Sequence, residues 1–478
     1  MLAWDTHAVV SEARSSADVI VIGGGPGGLA AALFSARRGA SVTLIERDGN
    51  PAAGSAEDDF ERWPRPGVPQ ARQSHQFLGL AGVVLTEEAP EVLDAMRTRG
   101  VLEVPAAFRG RGAVEDVPNL RARRLVYEGV LRRAVLDQPG VDLIAGDRVT
   151  QLVARPGVPP VVCGVRTEQG LEIAAPIVID ATGRRSQMPE WVREHGVAEL
   201  PTTTEPIGLQ YYTRFYRLHD GEEFPATPAP IVARLRYLNA LAFPCDNRTF
   251  SLTLACFVDD PFRRALANPG AFERVLMSIP VTAPWVQAGE AISPVHAMAR
   301  IENRWQRLID AGDAPLVGGV VLAGDSSMHT NPTFGRGVSL AFAQAQRLAT
   351  TLASNGDTTA YTAEFERWTA QQHGDWFNVQ AAYDRNLVDT FQASLRGDPE
   401  PEPNETSRFF RAMVAAADTD DIAALAMTRF VHLLRKPSEI FSDEDLNQRV
   451  RAYMATHELT MFDNGPTRTE FEAIVAAA

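Results

Sequence analysis

Hydrophobic and polar positions change period three times along the chain. Asp18 to Ile22 is a short apolar run that predicts a buried strand. Leu29, Ala32, Leu33 and Ala36 then recur at helical spacing, Gly39 closes the helix, and Val42, Leu44 and Ile45 predict a second strand ending at Glu46. The strand signal returns in IVIDATGRRS, Ile177 to Ser186, and in VVLAGD, Val320 to Asp325, each ending abruptly in a polar, glycine-containing turn. Between about Leu200 and Arg300 the period shortens to two: Leu209, Tyr211, Thr213 and Phe215, then Leu238 to Phe243, then Phe250 to Phe257 after the turn Cys245 to Arg248. Antiparallel strands are predicted there, with alternate residues facing opposite sides. From Tyr361 the stripe Tyr361, Phe365, Trp368, Trp376, Val379 and Tyr383 predicts a long amphipathic helix. A Pro- and Glu-rich loop, Asp398 to Glu405, separates it from a helical segment, Ser407 to Leu434, and a tail.

Chemistry enters at the first turn. Gly23, Gly25 and Gly28 follow the first strand at GxGxxG spacing, with Pro26 and Gly27 between them. Gly23 permits the tight turn, Gly25 lets backbone approach a pyrophosphate, Gly28 lets helix pack on strand, and the helix N-terminus faces the phosphates. Glu46 is placed to accept hydrogen bonds from a ribose. Strand, helix, second strand and acidic end together predict a dinucleotide site. No second GxGxxG follows, so one adenine dinucleotide has a dedicated cradle, and the pattern alone does not separate FAD from NAD. Asp325, at a strand end, puts a carboxylate at the sheet edge, where ribityl hydroxyls can be bound. Asn331 to Gly337 lead into an apolar helical run, Val338 to Leu348. Gly335 and Gly337 open its N-terminus, suited to the partial negative charge on the pyrimidine side of a reduced flavin.

Composition narrows the setting. The 478 residues allow one large or two to three ordinary domains, and 45% hydrophobic with 22% charged residues is the balance of a globular protein. The net charge of −14 argues against nucleic acid as a partner. Cys163, Cys245 and Cys256 show neither CxxC spacing nor a disulfide framework, which predicts a reducing, cytoplasmic setting. The nine histidines show no HxxxH or HExxH pairing, so no metal site is expected. The uncharged run Val19 to Ala36 is broken by its glycines and is not a membrane span. Asp5 and Glu12 precede the first arginine, Arg14, so no secretory pattern is read.

The blocks GGGPGG, DATGRRS and LAGDSSMHTNPTFGRGV, in that order, resemble the FAD-dependent monooxygenases with a glutathione-reductase-like FAD domain, as in aromatic hydroxylases. GVPQARQSH, RRLVYEGVLRR and NPTFGRG bring the resemblance closer to the flavin epoxidases of polyether biosynthesis. The resemblance implies an α/β fold: a Rossmann-like FAD domain in two parts, 18–200 and 301–355, an inserted antiparallel-sheet substrate domain, 201–300, and a helical C-terminal region, 356–478, packing on the FAD domain or, less readily, serving dimerisation. It places Arg124 at the flavin side, Asp325 at the ribityl chain and Gly335 to Val338 at the isoalloxazine. The candidate cofactor set is Gly23, Gly25, Pro26, Gly27, Gly28, Glu46, Arg47, Arg124, Val149, Asp180, Gly183, Asp325, Pro332, Gly335, Arg336, Gly337 and Val338. Asp180 has a second reading, a turn carboxylate capping backbone.

No catalytic side chain is assigned. His75 and His329 are candidates to orient flavin or substrate, and a structural histidine is the alternative for each. The arginines at 109, 111, 121, 123, 124, 132 and 133 read as a solvated helix face with one or two reaching the pyrophosphate. The expected function is epoxidation or hydroxylation of an apolar specialised metabolite through a flavin C4a-hydroperoxide, with NAD(P)H as electron source directly or through a flavin reductase. The alternatives are a flavin dehydrogenase or reductase of the same fold and a non-catalytic dinucleotide-fold scaffold. A halogenase relies on a lysine reached early in the chain, whereas Lys436 is the sole lysine here. Relatives often have histidine at Gln73 and tyrosine at Phe334. Thr182-Gly183 stands where single-component hydroxylases have Asp-Gly, which predicts slow direct reduction by NAD(P)H.

Overall fold

Five parallel strands lie in the order Val320–Leu322, Ile177–Asp180, Val19–Ile22, Val42–Glu46 and Val141–Ala145. Burial on both faces explains the mostly apolar runs of the first four, whereas the edge strand Val141–Ala145 is half-buried. Helices Pro26–Arg37, Arg124–Leu136 and Gly337–Thr351 cover one face, and a small antiparallel sheet, Val149–Arg155, Val161–Thr167 and Glu172–Ala174, covers the other. In register Ile22 pairs with Ile45 and Asp180, and Asp180 with Leu322, so the loops leaving these strands share one rim. The computed structural model describes residues 16–51, 54–226, 231–352, 356–459 and 462–477. The stretch holding Asp5, Glu12 and Arg14, on which the secretory reading rests, lies outside these residues.

The predicted alternation is a six-stranded antiparallel sheet built around Leu209–Leu218, Leu238–Pro244 and Thr249–Phe257. Asn247 and Arg248, at φ 49° and 59°, form a two-residue hairpin turn whose left-handed backbone matches strand twist. The faces now separate. Tyr212, Tyr216, Ala240, Phe250, Leu252 and Leu254 pack with the helix Pro269–Met277 and Trp285, while Tyr211, Thr213, Leu241, Phe243 and Thr253 face a cavity. A three-stranded sheet, Thr202–Pro206, Glu302–Gln306 and Met328–His329, joins the two layers.

The stripe from Tyr361 is a 39-residue helix, Thr358–Arg396, ended by Gly397 in the left-handed conformation. The C-terminal region does not pack on the FAD layer alone. The last helix, Arg468–Ala476, buries Phe471 and Val475 in the core behind the antiparallel sheet. The helix Asp421–Val431 packs on a hairpin, Leu102–Phe108 and Arg111–Arg121, that periodicity did not reveal. The solvated reading of the arginine cluster is corrected for Arg121, Arg123, Arg124 and Arg132, which are buried where layers meet. Arg123 and Arg132 are fully buried, and Arg123 joins Asp246 of the hairpin turn at 2.6 Å and Glu57 at 2.8 Å. Arg109 and Arg111 stay at the surface with the exposed Asp418 and Asp421, whereas Arg133 pairs with the buried Asp59. Charges buried this way need such partners.

His432 anchors the C-terminal helices: its Nδ1 accepts the Gly79 N–H at 3.0 Å. Burial, with a smaller push from Arg121 and against a hydrogen bond to Ala107, lowers its pKa to about 4. The folded protein thus resists a proton that the unfolded chain takes near pH 6.5, so this contribution is complete above pH 6.5 and is lost as pH falls toward 4. His432→Asn keeps an acceptor for Gly79 without titrating. From pH 7 to pH 4 the stability advantage of wild type over this variant should shrink by up to about 3 kcal/mol, at 1.4 kcal/mol per pKa unit, measured by denaturant unfolding at each pH.

Candidate functional site

The rim of the parallel sheet opens into a cavity of about 410 Å³ that extends to the antiparallel sheet. Its floor is the glycine turn. Gly23 has φ +100°, and a Cβ there would lie 2.5 Å from the Ala181 carbonyl oxygen. A Cβ on Gly28 would run into the carbonyl of Gly23, so this glycine lets the helix sit against the strand. Over Gly25 the nearest atom to such a Cβ is Arg124 Nη2, 3.9 Å away. Pro26 opens the helix, whose free N–H groups face this space.

Glu46 is 5% exposed and lines the cavity. It accepts the N–H groups of Gly24 at 2.6 Å and Asp48 at 2.8 Å, and pairs with Arg65 at 3.2 Å. Burial raises its pKa, but Arg65, those N–H groups and Arg132 outweigh burial and hold it below the usual range. Arg65 also meets Asp48 at 3.0 Å and Glu128 at 2.6 Å, and Arg132 donates to the Gly24 carbonyl at 3.1 Å. Sequence reasoning missed Arg65 altogether and left Arg132 in the solvated cluster, since no spacing links them to Glu46. Arg47 and Val149 also lie on the wall, with Arg47 bonded to the Gly67 carbonyl at 2.7 Å.

At the other end Asp325 lines the cavity with no hydrogen-bond donor on its carboxylate among the described residues; His329 Nε2 is 4.0 Å away. A Cβ on Gly337 would lie 3.5 Å from Asp325 Oδ1, which puts this acid at the N-terminus of Gly337–Thr351. Pro332, Gly335, Gly337 and Val338 complete the wall, and Gly335 takes φ +66°. Arg336 also reaches the wall, but its guanidinium is caged by Phe334, Trp376 and Phe430 and donates to Gln380 at 3.0 Å, so no ligand contact is assigned to it. The loop is held from behind. Asn331 accepts from the Tyr211 hydroxyl, and its amide donates to Asp384 at 2.6 Å; Asn303 and Gln380 donate to the same carboxylate. Burial pushes the Asp384 pKa up to about 6 against these donors.

Asp180 is corrected. It is wholly buried and not on the cavity wall; it accepts from the Thr182 N–H at 2.9 Å and from the hydroxyls of Thr182, Ser186 and Ser326. Its carboxylate builds the turn that presents Gly183 (φ +84°), where an added Cβ would find only the Asp325 side chain, at 3.9 Å. His75 Nδ1 is 2.9 Å from the Gln73 carbonyl and Nε2 is 3.3 Å from Arg124. Burial and then Arg124, against that carbonyl bond, lower its pKa to about 3, so it is neutral and steadies Arg124. His329 Nδ1 bonds the Glu302 carbonyl at 2.7 Å. Gln73 accepts from Thr213 at 2.8 Å and donates to the His296 carbonyl at 3.0 Å. The remaining recess is walled by Tyr211, Leu241, Phe243, Met298 and Ile301.

Residues 18–185 match the FAD dependent oxidoreductase family. Protein Rv3254 of Mycobacterium tuberculosis is 27% identical over 450 residues, 87% of this chain and 89% of its own. Two solved structures share the fold. The myxobacterial chondrochloren halogenase CndH has a TM-score of 0.58 and 17% identity, over 92% of this chain and 97% of its own. The anhydrotetracycline hydroxylase OxyS of Streptomyces rimosus has a TM-score of 0.57 and 15% identity, over 88% of this chain and 77% of its own. The family match spans the residues that build the cradle, and the two solved structures show a fold that this chain shares with a halogenase and a hydroxylase. Within it the residues present fit FAD: the space over Gly25 and Gly183 is open to a ligand, and Asp325 waits without a donor.

If Asp325 accepts the ribityl hydroxyls, Asp325→Ala removes charge-assisted hydrogen bonds of roughly 1.5–3 kcal/mol each. FAD binding should weaken at least about tenfold, as read by fluorescence titration of the apoprotein. An unchanged affinity in a folded variant would leave Asp325 a structural residue.

Proposed function

We propose that the protein is an FAD-dependent monooxygenase that epoxidises or hydroxylates an apolar small molecule. The observation that carries this reading is the union, in one cavity, of the dinucleotide cradle and the apolar recess of Tyr211, Leu241, Phe243, Met298 and Ile301. The chemistry that FAD supplies when bound is activation of dioxygen for transfer of one oxygen atom. The chain's own residues hold and enclose. The Gly23 to Gly28 turn receives the pyrophosphate, Glu46 the ribose and Asp325 the ribityl chain. N–H groups at Gly335 and Gly337 stabilise negative charge on the pyrimidine side, and the recess positions the substrate and excludes water.

Proton chemistry favours an alkene or another substrate that needs no base. Burial raises the Tyr211 pKa far above neutrality, and its hydroxyl is committed to Asn331 and Thr333. His75 is neutral with both ring nitrogens engaged. Phenol hydroxylation calls for a group to take the phenolic proton, and among the described residues the walls of the recess offer none. The hydroxylase OxyS, of the same fold, supports oxygen insertion by analogy. A halogenase shares the fold too, but Lys436 is bonded to the Gln371 carbonyl at 3.1 Å, away from the cavity.

Electrons are assigned to NAD(P)H through a separate flavin reductase, because Thr182 stands where single-component hydroxylases have Asp and turns its hydroxyl onto Asp180 at 2.6 Å. The free thiols Cys163, Cys245 and Cys256 support a reducing, cytoplasmic setting.

Turnover under labelled dioxygen should place one labelled atom in the product; oxidised product without label would make the protein a dehydrogenase. In anaerobic stopped flow, NADPH or NADH alone should bleach the flavin slowly, with and without candidate substrate, and a flavin reductase should restore turnover. Fast bleaching by the nucleotide alone would refute the reading of Thr182.

A further inference from the structure

A second cavity, of about 250 Å³, opens at the His329 end of the first, lined by Arg184, Arg185, Arg300 and Arg304 with Glu302 and His329. Arg184, Arg185 and His329 line both cavities, so the two adjoin. The arginines come from two places: the turn after Ile177–Asp180, and the segment leading into and along Glu302–Gln306.

Their partners set them apart. Arg65, Arg123 and Arg133 each meet a carboxylate at 2.6 Å. None of these four arginines has a carboxylate within 4.0 Å among the described residues. Instead Arg304 Nη2 donates to the Arg184 carbonyl at 2.6 Å and Arg184 Nη1 to the Arg300 carbonyl at 3.5 Å. Neutral carbonyls thus brace the side chains without cancelling their charge. Burial and then the like charge of Arg185 lower the Arg184 pKa; Arg304 adds to this, and Asp325 and Glu302 oppose it. Arg300 holds φ +57°, a conformation unfavourable for a side chain of its size. Four arginines against Glu302 and the neighbouring Asp325 leave an excess of positive charge in a chain of net charge −14. Such a concavity concentrates anions.

We propose that this antechamber binds a phosphate-type oxyanion carried by the molecule that enters the cavity beside FAD. A single carboxylate leaves positive charge over, whereas a pyrophosphate or phosphate ester matches it and the forked guanidinium geometry. Two sources share this chemistry: a pyridine nucleotide and a substrate borne on a phosphate-containing carrier arm such as that of coenzyme A. The inference rests on the reading above only in needing a second molecule in the cavity.

The test is calorimetric titration of the FAD-saturated holoenzyme with inorganic pyrophosphate, NADPH, coenzyme A and acetate. Pyrophosphate should bind more tightly than acetate and weaken as ionic strength rises. Arg185→Gln combined with Arg300→Gly, in which glycine accepts the positive φ, should weaken it at least roughly tenfold. Arg166→Gln, which removes an exposed arginine paired with Glu172, should not. Retained flavin absorbance shows that each variant is folded and separates failure here from failure of the cofactor assignment. NADPH binding that pyrophosphate displaces assigns the site to a nucleotide, and coenzyme A binding that it displaces assigns it to a carrier; either supports the proposal. No pyrophosphate binding, or binding that the double variant leaves unchanged, overturns it.

Discussion

Beneath the cradle, charge is balanced before any ligand arrives. Arg65, Arg124 and Arg132 face Glu46, Asp48 and Glu128 in a cluster drawn from the second strand and the turn after it, the loop near residue 65 and the helix Arg124–Leu136. The side chains of Arg65, Arg132 and Glu128 are fully enclosed, so each depends on the others to remain charged. Removing one partner of such a set typically costs about 3–5 kcal/mol, because the remaining charge stays buried. The geometry around Glu46 and the Gly24 amide is therefore set by protein atoms, leaving the glycine N–H groups and the open volume over Gly25 for the ligand.

The local parts of this arrangement were legible in the sequence because they are local. Glycine spacing, the helix from Pro26 and the strand ending in Glu46 lie within 30 residues and answer to backbone geometry alone. Alternation likewise revealed the strands from Leu209 to Phe257, but not which face sees the cavity, because both faces are apolar. The ion pairs were not legible. Arg123 meets Asp246 and Arg109 meets Asp418 across long separations, and a run of arginines looks the same whether water or carboxylates await it. Asp180 shows the limit at one residue. A strand-end acid can face the ligand or fold back into its own turn, and the hydroxyls of Thr182, Ser186 and Ser326 decide for the turn.

The apolar recess and the polar loop above it divide the work differently from an acid/base enzyme. Buried Tyr211 and neutral His75 spend their hydrogen bonds on positioning Asn331 and Arg124. On the proposed function, a site arranged this way would leave proton transfer to solvent and cofactor and reserve its own groups for shape and electrostatics.

The long helix Thr358–Arg396 touches the parallel sheet, the Asn331 loop and the antiparallel sheet. Thr362 donates to the Val320 carbonyl on the edge strand, Asp384 holds Asn331 in the cofactor loop, and Phe391 packs among residues of the antiparallel sheet. A chimera that exchanges the C-terminal quarter for that of a relative would thus replace the back support of the Asn331 loop as well as an outer layer. Recombination breakpoints near residue 356 fall between a clamp and the loop it clamps, and functional grafts should keep Asn303, Asn331 and Asp384 from one parent.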